Sequence, residues 1–260
     1  MKTLVANWKM HVGIRESAAL ARAALLALRG RAHAPDVVVC PPFTALADVH
    51  KIVARSHVAV GAQDLFWEET GAFTGEISPR MVAETGAAYA IVGHSERRRL
   101  FGETDETVGK KTAAALAHRL TPVVCVGETA EERAAGRTEA VIGRQLRAAF
   151  ASAALHEGSR VLIAYEPVWA IGSGHPASPQ DAVAAHAFLR RVFRDEVKGG
   201  GRAREGVLYG GSVDADNAFA LLREDEIDGI LIGGASLNAA QFTAIVAAAG
   251  DVLEGLASRS

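Results

Sequence analysis

Cysteine is scarce, with two residues, Cys40 and Cys125, in a chain of 260. Both lie inside apolar runs far apart in sequence, which points to buried thiols in a reducing compartment rather than a disulfide or a metal pair. Excess charge of one sign is missing too. The 28 Lys and Arg against 30 Asp and Glu give a formal charge of −2, so there is no electrostatic footprint for nucleic acid or an anionic membrane. No apolar run approaches the roughly 20 residues of a membrane-spanning helix. Residues 1–6 run straight into polar Asn7-Trp8-Lys9, too short for the hydrophobic stretch of a secretion signal. The nine histidines include no HExxH or comparable ligand spacing, so no metal is expected. What remains is 49% hydrophobic and 22% charged, a composition that excludes disorder and collagen-like structure. The expectation is a cytoplasmic protein with no nucleic-acid or membrane partner and a chain long enough for a large core.

Eight short apolar runs rich in β-branched residues stand out, at 4–6, 37–40, 58–60, 89–92, 123–126, 161–165, 207–209 and 230–232. Their hydrophobicity is nearly continuous rather than alternating, the mark of strands covered on both faces, as in a parallel sheet with crossover helices. Helical patterns lie between them. Ala185, Phe188, Leu189, Val192 and Phe193 form one apolar stripe, opened by the N-cap signature Ser178-Pro179-Gln180-Asp181, and Ser78-Pro79 opens another helix in the same way. Pro122 sits at a strand start, where a missing donor is tolerated, and Gly199-Gly200-Gly201 reads as a helix stop. Strand ends near 8, 40, 63, 93, 126, 166, 209 and 232 recur about every 32 residues, close to the roughly 30 of a βαβ unit. With no linker or low-complexity tract, this is one βα unit repeated eight times in a single domain, 1–260.

A closed barrel and an open doubly wound sheet both fit that order. Polar residues gather after strands 1, 3, 4, 6, 7 and 8: Asn7 and Lys9, Gln63, His94, Glu166, Gly210-Gly211-Ser212 and Gly233-Gly234. In an open sheet only loops beside the switch point meet over one ligand. In a closed (β/α)8 ring all eight C-terminal loops face one mouth. The α/β class with a closed (β/α)8 barrel is therefore expected.

Glu166 follows a buried strand, so partial desolvation should raise its proton affinity toward that of a useful general base; taken alone it also reads as a solvated glutamate. Stiff Pro167-Val168-Trp169, small Ala170-Ile171-Gly172-Ser173-Gly174 and a second stiff stretch, 176–179, compose a lid over a ligand. His94 precedes a short helix at Ser95, whose free N–H groups disfavour an imidazolium and leave a neutral ring able to donate to a carbonyl; a plain turn cap is the alternative. His33, His50, His57, His118, His156 and His186 are expected at the surface. Lys9, alone among six lysines, lies just past a strand end, as a partner for an anion or a Schiff-base nucleophile. Glu96 is its expected ion-pair neighbour, which argues for the first role. The glycines after strands 7 and 8, with Gly172, suit a phosphate, although turn glycines are the plain alternative. Gly172 to Ala177 imitates a dinucleotide fingerprint and Gly102 to Lys110 a P-loop, but neither has the required context or spacing.

These motifs together identify a resemblance. Asn7-Trp8-Lys9, Gly71-Ala72-Phe73-Thr74-Gly75-Glu76, Gly93-His94-Ser95-Glu96-Arg97-Arg98 and Tyr165-Glu166-Pro167-Val168-Trp169 follow one another in order, and then Tyr209-Gly210-Gly211-Ser212 and Gly233-Gly234-Ala235-Ser236. Along essentially its whole length the chain resembles the triosephosphate isomerases. The resemblance implies interconversion of dihydroxyacetone phosphate and D-glyceraldehyde 3-phosphate, in glycolysis and gluconeogenesis, without a cofactor. It implies Glu166 as the base that moves a proton between adjacent carbons and neutral His94 as the carbonyl-polarising group, a pairing known for this family. Asn7 and Lys9 would bind substrate and stabilise the oxyanion, Glu96 would hold Lys9, and Gly172, Ser212, Gly233 and Gly234 would bind phosphate. It also implies a homodimer through the 65–79 loop, with Thr74 near the neighbour's site. Ser173, His175, Ala6 and His11 depart from the commonest pattern without removing a chemical group that the reaction needs. A Schiff-base aldolase, with Lys9 its available lysine, and a non-catalytic phosphosugar-binding barrel are the competing readings.

Overall fold

The computed structural model describes residues 2–171 and 176–258. Eight parallel strands, β1 (Thr3–Asn7), β2 (Asp36–Cys40), β3 (Val58–Ala62), β4 (Tyr89–Val92), β5 (Thr121–Val126), β6 (Arg160–Tyr165), β7 (Arg204–Tyr209) and β8 (Gly229–Ile232), pair in sequence order. The ring closes where Ala6 of β1 lies beside Ile232 of β8. The strand ends fall within a residue of those expected, and helices surround the ring, as the continuous apolar runs required.

Alternation along each strand divides the core in two. Val5, Val38, Cys40, Ile91, Val123, Cys125, Leu162, Ala164, Leu208 and Leu231 fill the barrel interior. Their neighbours Leu4, Ala6, Val37, Val39, Val124, Ile163, Val207, Ile230 and Ile232 pack outward beneath the helices. Period two then dictates what reaches the mouth. Asn7 is two residues beyond inward-facing Val5, Glu166 two beyond Ala164, Gly210 two beyond Leu208 and Gly233 two beyond Leu231. At these four strands the inward register continues to the strand end or one step past it, and so carries these residues to the C-terminal rim of the barrel.

The expected caps form. Ser78 and Ser178 accept the N–H groups of Met81 and Asp181, each with a proline at the helix start. The helix Pro179–Glu196 ends three residues before Gly199, which takes φ +81°. Both thiols are buried and neither is in a disulfide, and burial pushes both up from their ordinary value.

Two expectations need correction. His186 is fully buried rather than at the surface: its ring meets Tyr165 edge-on and Nδ1 lies 3.2 Å from the Glu226 carbonyl oxygen. Its position on the apolar stripe of Pro179–Glu196, one residue after Ala185, draws it in against β6. The final helix, Ala239–Ala257, 19 residues long, is also long and apolar enough by length and composition to cross a membrane, with mean hydropathy 1.2 over its most apolar 18-residue stretch. Phe242, Ile245, Val246 and Ala249 press its inner face onto the barrel. Its outer face is rich in alanine, which raises the hydropathy of the whole helix.

Candidate active site

A cavity of about 490 Å³ opens at the C-terminal mouth of the barrel. Eight of the nine residues nominated from sequence line it: Asn7, Lys9, His94, Glu96, Glu166, Ser212, Gly233 and Gly234. The ninth, Gly172, lies outside the described residues, as do Ser173, Gly174 and His175 of the expected lid.

Glu166 is 2% exposed. Its Oε2 accepts the Ser95 N–H at 2.7 Å, and Oε1 lies 3.0 Å from His94 Nε2. That approach is out of line for a hydrogen bond, so Oε1 is a buried acceptor with no aligned donor. A carboxylate oxygen held this way is poorly satisfied by the protein. Ser95 was not singled out from sequence, because a backbone N–H leaves no residue-type signal.

His94 owes its position to Gly93, whose φ of +72° turns the chain inward from β4. An added Cβ there would be strained and would press on Val108 at 2.8 Å. The Glu96 N–H donates to His94 Nδ1 at 3.2 Å, so the ring proton belongs on Nε2, facing the cavity. The backbone thus opposes an imidazolium, as expected. Burial opposes it too, yet the carboxylates of Glu166 and Glu96 together outweigh it and hold His94 above the ordinary imidazole value.

Lys9 Nζ and Glu96 Oε1 pair at 2.6 Å, as expected. Burial raises the Glu96 carboxyl, but the hydrogen bond and charge of Lys9 prevail and hold it below the usual carboxylate range. The Lys9 backbone takes φ +49°, a region that a non-glycine residue enters only under constraint. Two groups supply it: Asn7 Oδ1 accepts the Lys9 N–H at 3.0 Å, and Gln63 Nε2 donates at 2.9 Å to the carbonyls of both Lys9 and Cys40. On the opposite wall, Gly210 N–H is engaged by the Tyr165 carbonyl at 2.7 Å, and Ser212 Oγ donates to the Ala170 carbonyl at 2.8 Å. The N–H groups of Gly233 and Gly234 donate to no protein oxygen among the described residues. Backbone donors of that kind suit an anion.

Sequence reasoning missed the supports behind this wall. Glu128 is wholly buried and accepts from Tyr165 Oη at 3.0 Å and Trp169 Nε1 at 2.9 Å, tying the segment after Glu166 to the loop after β5. Lys111 lies buried between Asp64 and Glu103, and Arg97 bonds the same two carboxylates. Lys110-Lys111 in sequence looks like a solvated pair, and Glu128 like the acidic start of a helix. Among the described residues no group of three or more His, Cys, Asp or Glu could hold a metal ion.

A family model described as triosephosphate isomerase matches residues 2–249. The chain belongs to the triosephosphate isomerase family. Among curated relatives, the triosephosphate isomerase of Roseiflexus castenholzii is 50% identical over 243 residues, covering 94% of this chain and 95% of that protein. The one from Endomicrobium trichonymphae is 46% identical over 94% and 96%. A crystal structure of triosephosphate isomerase from Bartonella henselae superposes with a TM-score of 0.83 at 35% identity, covering 95% of this chain and 98% of that one. The enzyme is an aldose–ketose isomerase that interconverts dihydroxyacetone phosphate and D-glyceraldehyde 3-phosphate, a reaction of glycolysis.

Proposed function

We propose that the isomerase reaction runs by proton transfer through an enediolate, with Glu166 as the base. The observation that carries this reading is the convergence of Glu166 Oε1 and His94 Nε2, 3.0 Å apart, on a cavity that also holds Lys9. A triose lies between them once Glu166 gives up the Ser95 N–H and turns toward the cavity centre. Its carboxylate then removes a proton from the carbon beside the carbonyl, and the C–H electron pair moves toward the carbonyl oxygen. His94 Nε2–H donates to that oxygen, and the ammonium of Lys9 stabilises the charge gathering there. His94 passes its Nε2 proton to that oxygen and takes up the proton of the neighbouring hydroxyl, and Glu166 returns its proton to the neighbouring carbon, which completes the exchange of aldehyde and ketone. Asn7 orients the substrate, and Glu96 keeps Lys9 charged and in place.

The phosphate is held by the N–H groups of Gly233 and Gly234, by the Ser212 loop and by Gly172. Holding a group that does not react lets binding energy close the site and protects the intermediate from losing phosphate. The active form is a homodimer through the 65–79 loop, with Thr74 beside the partner's site. In support, Phe66 stacks between Trp67 and Phe73 to stiffen that loop, and Phe73 and Met10 stand 43% and 95% exposed, apolar surface that a partner would cover. The enzyme works in the cytoplasm, also in the gluconeogenic direction, on free triose phosphates and with no nucleic-acid or membrane partner.

The test is isomerisation in heavy water. A proton held on Glu166 exchanges with solvent, so the product gains deuterium on the carbon that receives it. Product free of deuterium throughout the reaction would mean a direct hydride shift between the carbons and would refute the carboxylate mechanism.

A further inference from the structure

The catalytic cavity is poorly balanced for its substrate. Its described walls, Arg99 and the titratable His94 aside, carry the single ammonium of Lys9 against the carboxylates of Glu96, Glu166 and Asp214. Lys9 is already paired with Glu96. A phosphate monoester arrives with nearly two negative charges at neutral pH, and this wall repels it.

Arg99 is the exception. It follows Ser95 by four residues on the helix Ser95–Phe101 and so shares the face that meets Glu166. It lines the catalytic cavity and also a second cavity of about 510 Å³ bounded by Ser95, Glu166 and Val168. Its two neighbours are committed: Arg97 bonds Asp64 and Glu103, and Arg98 bonds Asp105. Arg99 is exposed and makes no hydrogen bond or ion pair among the described residues. The second cavity does not claim it as an anion site, because Arg98 and Arg144 there share Asp105 while Glu103 and Glu132 add further negative charge.

We propose that Arg99 is the capture residue for the substrate's phosphate, a cation with no ion pair among the described residues that draws the dianion to a cavity mouth otherwise of the wrong sign. This rests on the reading of that cavity as the catalytic site. Arg99 touches no reacting atom, so it acts on encounter and first binding, hence on kcat/KM and not on kcat. An exposed charge acts through water over about 30 Å at 10 mM salt but only about 3 Å at 1 M. Its contribution therefore has a salt signature that a structural role lacks.

The experiment compares Arg99→Gln, Arg99→Lys and Arg99→Glu with the native enzyme, using glyceraldehyde 3-phosphate and phosphate-free glyceraldehyde, at low and high salt. At low salt Arg99→Gln lowers the ratio of kcat/KM for the phosphorylated to the unphosphorylated substrate about fivefold. Arg99→Glu lowers it further, Arg99→Lys restores it to within about twofold, and all four proteins converge at about 1 M salt. A native ratio in Arg99→Gln at low salt, or an equal loss with both substrates that survives high salt, overturns the role of Arg99. Glu166→Gln assayed alongside separates the two claims. If it turns over like the native enzyme, the reading of the cavity falls; if it is inactive while Arg99→Gln is salt-insensitive, only the capture role does.

Discussion

Replacing Gly210 by alanine perturbs the base by one methyl group. A Cβ on Gly210 would lie 2.9 Å from Glu166 Cγ and 3.2 Å from the Tyr165 carbonyl oxygen, where ordinary contact begins at 3.4 Å. The backbone of Gly210 is not left-handed, so the methyl adds contact without backbone strain. Glu166 must move by about 0.5 Å or β6 and β7 must part slightly, and overpacking of this kind costs about 1–3 kcal/mol. Since misplacing a reacting group by about 1 Å can cost about a hundredfold, a shift of half that predicts a fall in kcat of about tenfold. The non-reacting phosphate feels it less, so affinity for inorganic phosphate changes less than about threefold. Steady-state kinetics with glyceraldehyde 3-phosphate, phosphate binding by calorimetry and a thermal melt separate these effects. If the folded variant keeps kcat within about twofold of native, Glu166 is not held where this contact places it, and the reasoning fails.

His186 makes stability sensitive to acid. Burial, only partly offset by the Glu226 carbonyl, pulls its imidazole down to about 4 from an ordinary 6.5, so the unfolded chain binds the extra proton first. Stability is full above about pH 6.5 and is lost as pH falls toward 4; at about 1.4 kcal/mol per pH unit this amounts to about 3 kcal/mol. Denaturant melts between pH 7 and 4 should show a steeper loss in the native protein than in His186→Phe, and parallel losses would contradict the assignment. Analytical ultracentrifugation of the active enzyme should give twice 27.2 kDa, and Phe73→Asp should yield a monomer of much lower activity. A fully active monomer would remove the 65–79 loop from the account.

What the sequence made legible was what neighbours in sequence decide. Runs apolar at every position gave strands buried on two faces, and the same two-residue register carried Asn7, Glu166, Gly210 and Gly233 to the barrel mouth. His94 was readable because it stands between the end of a strand and the start of the short helix at Ser95. Apart from the Lys9–Glu96 pair, 87 positions apart, the contacts between distant residues that support the site were not readable. Lys111 meets Asp64 across 47 positions, Tyr165 meets Glu128 across 37 and Ser95 meets Glu166 across 71. A charged residue is buried when such a partner arrives, and nothing local announces the partner. His186 escaped for a related reason: a histidine on an amphipathic helix can face either way, and two positions around the turn separated burial from exposure.

On the proposed mechanism one buried carboxylate and one imidazole act on the same triose, and kcat of Glu166→Gln tests this most directly. The amide keeps the shape of the side chain but cannot accept the proton. The expected result is a fall in kcat of about a thousandfold or more, with phosphate affinity within about threefold of native. Turnover within tenfold of the native enzyme would contradict it.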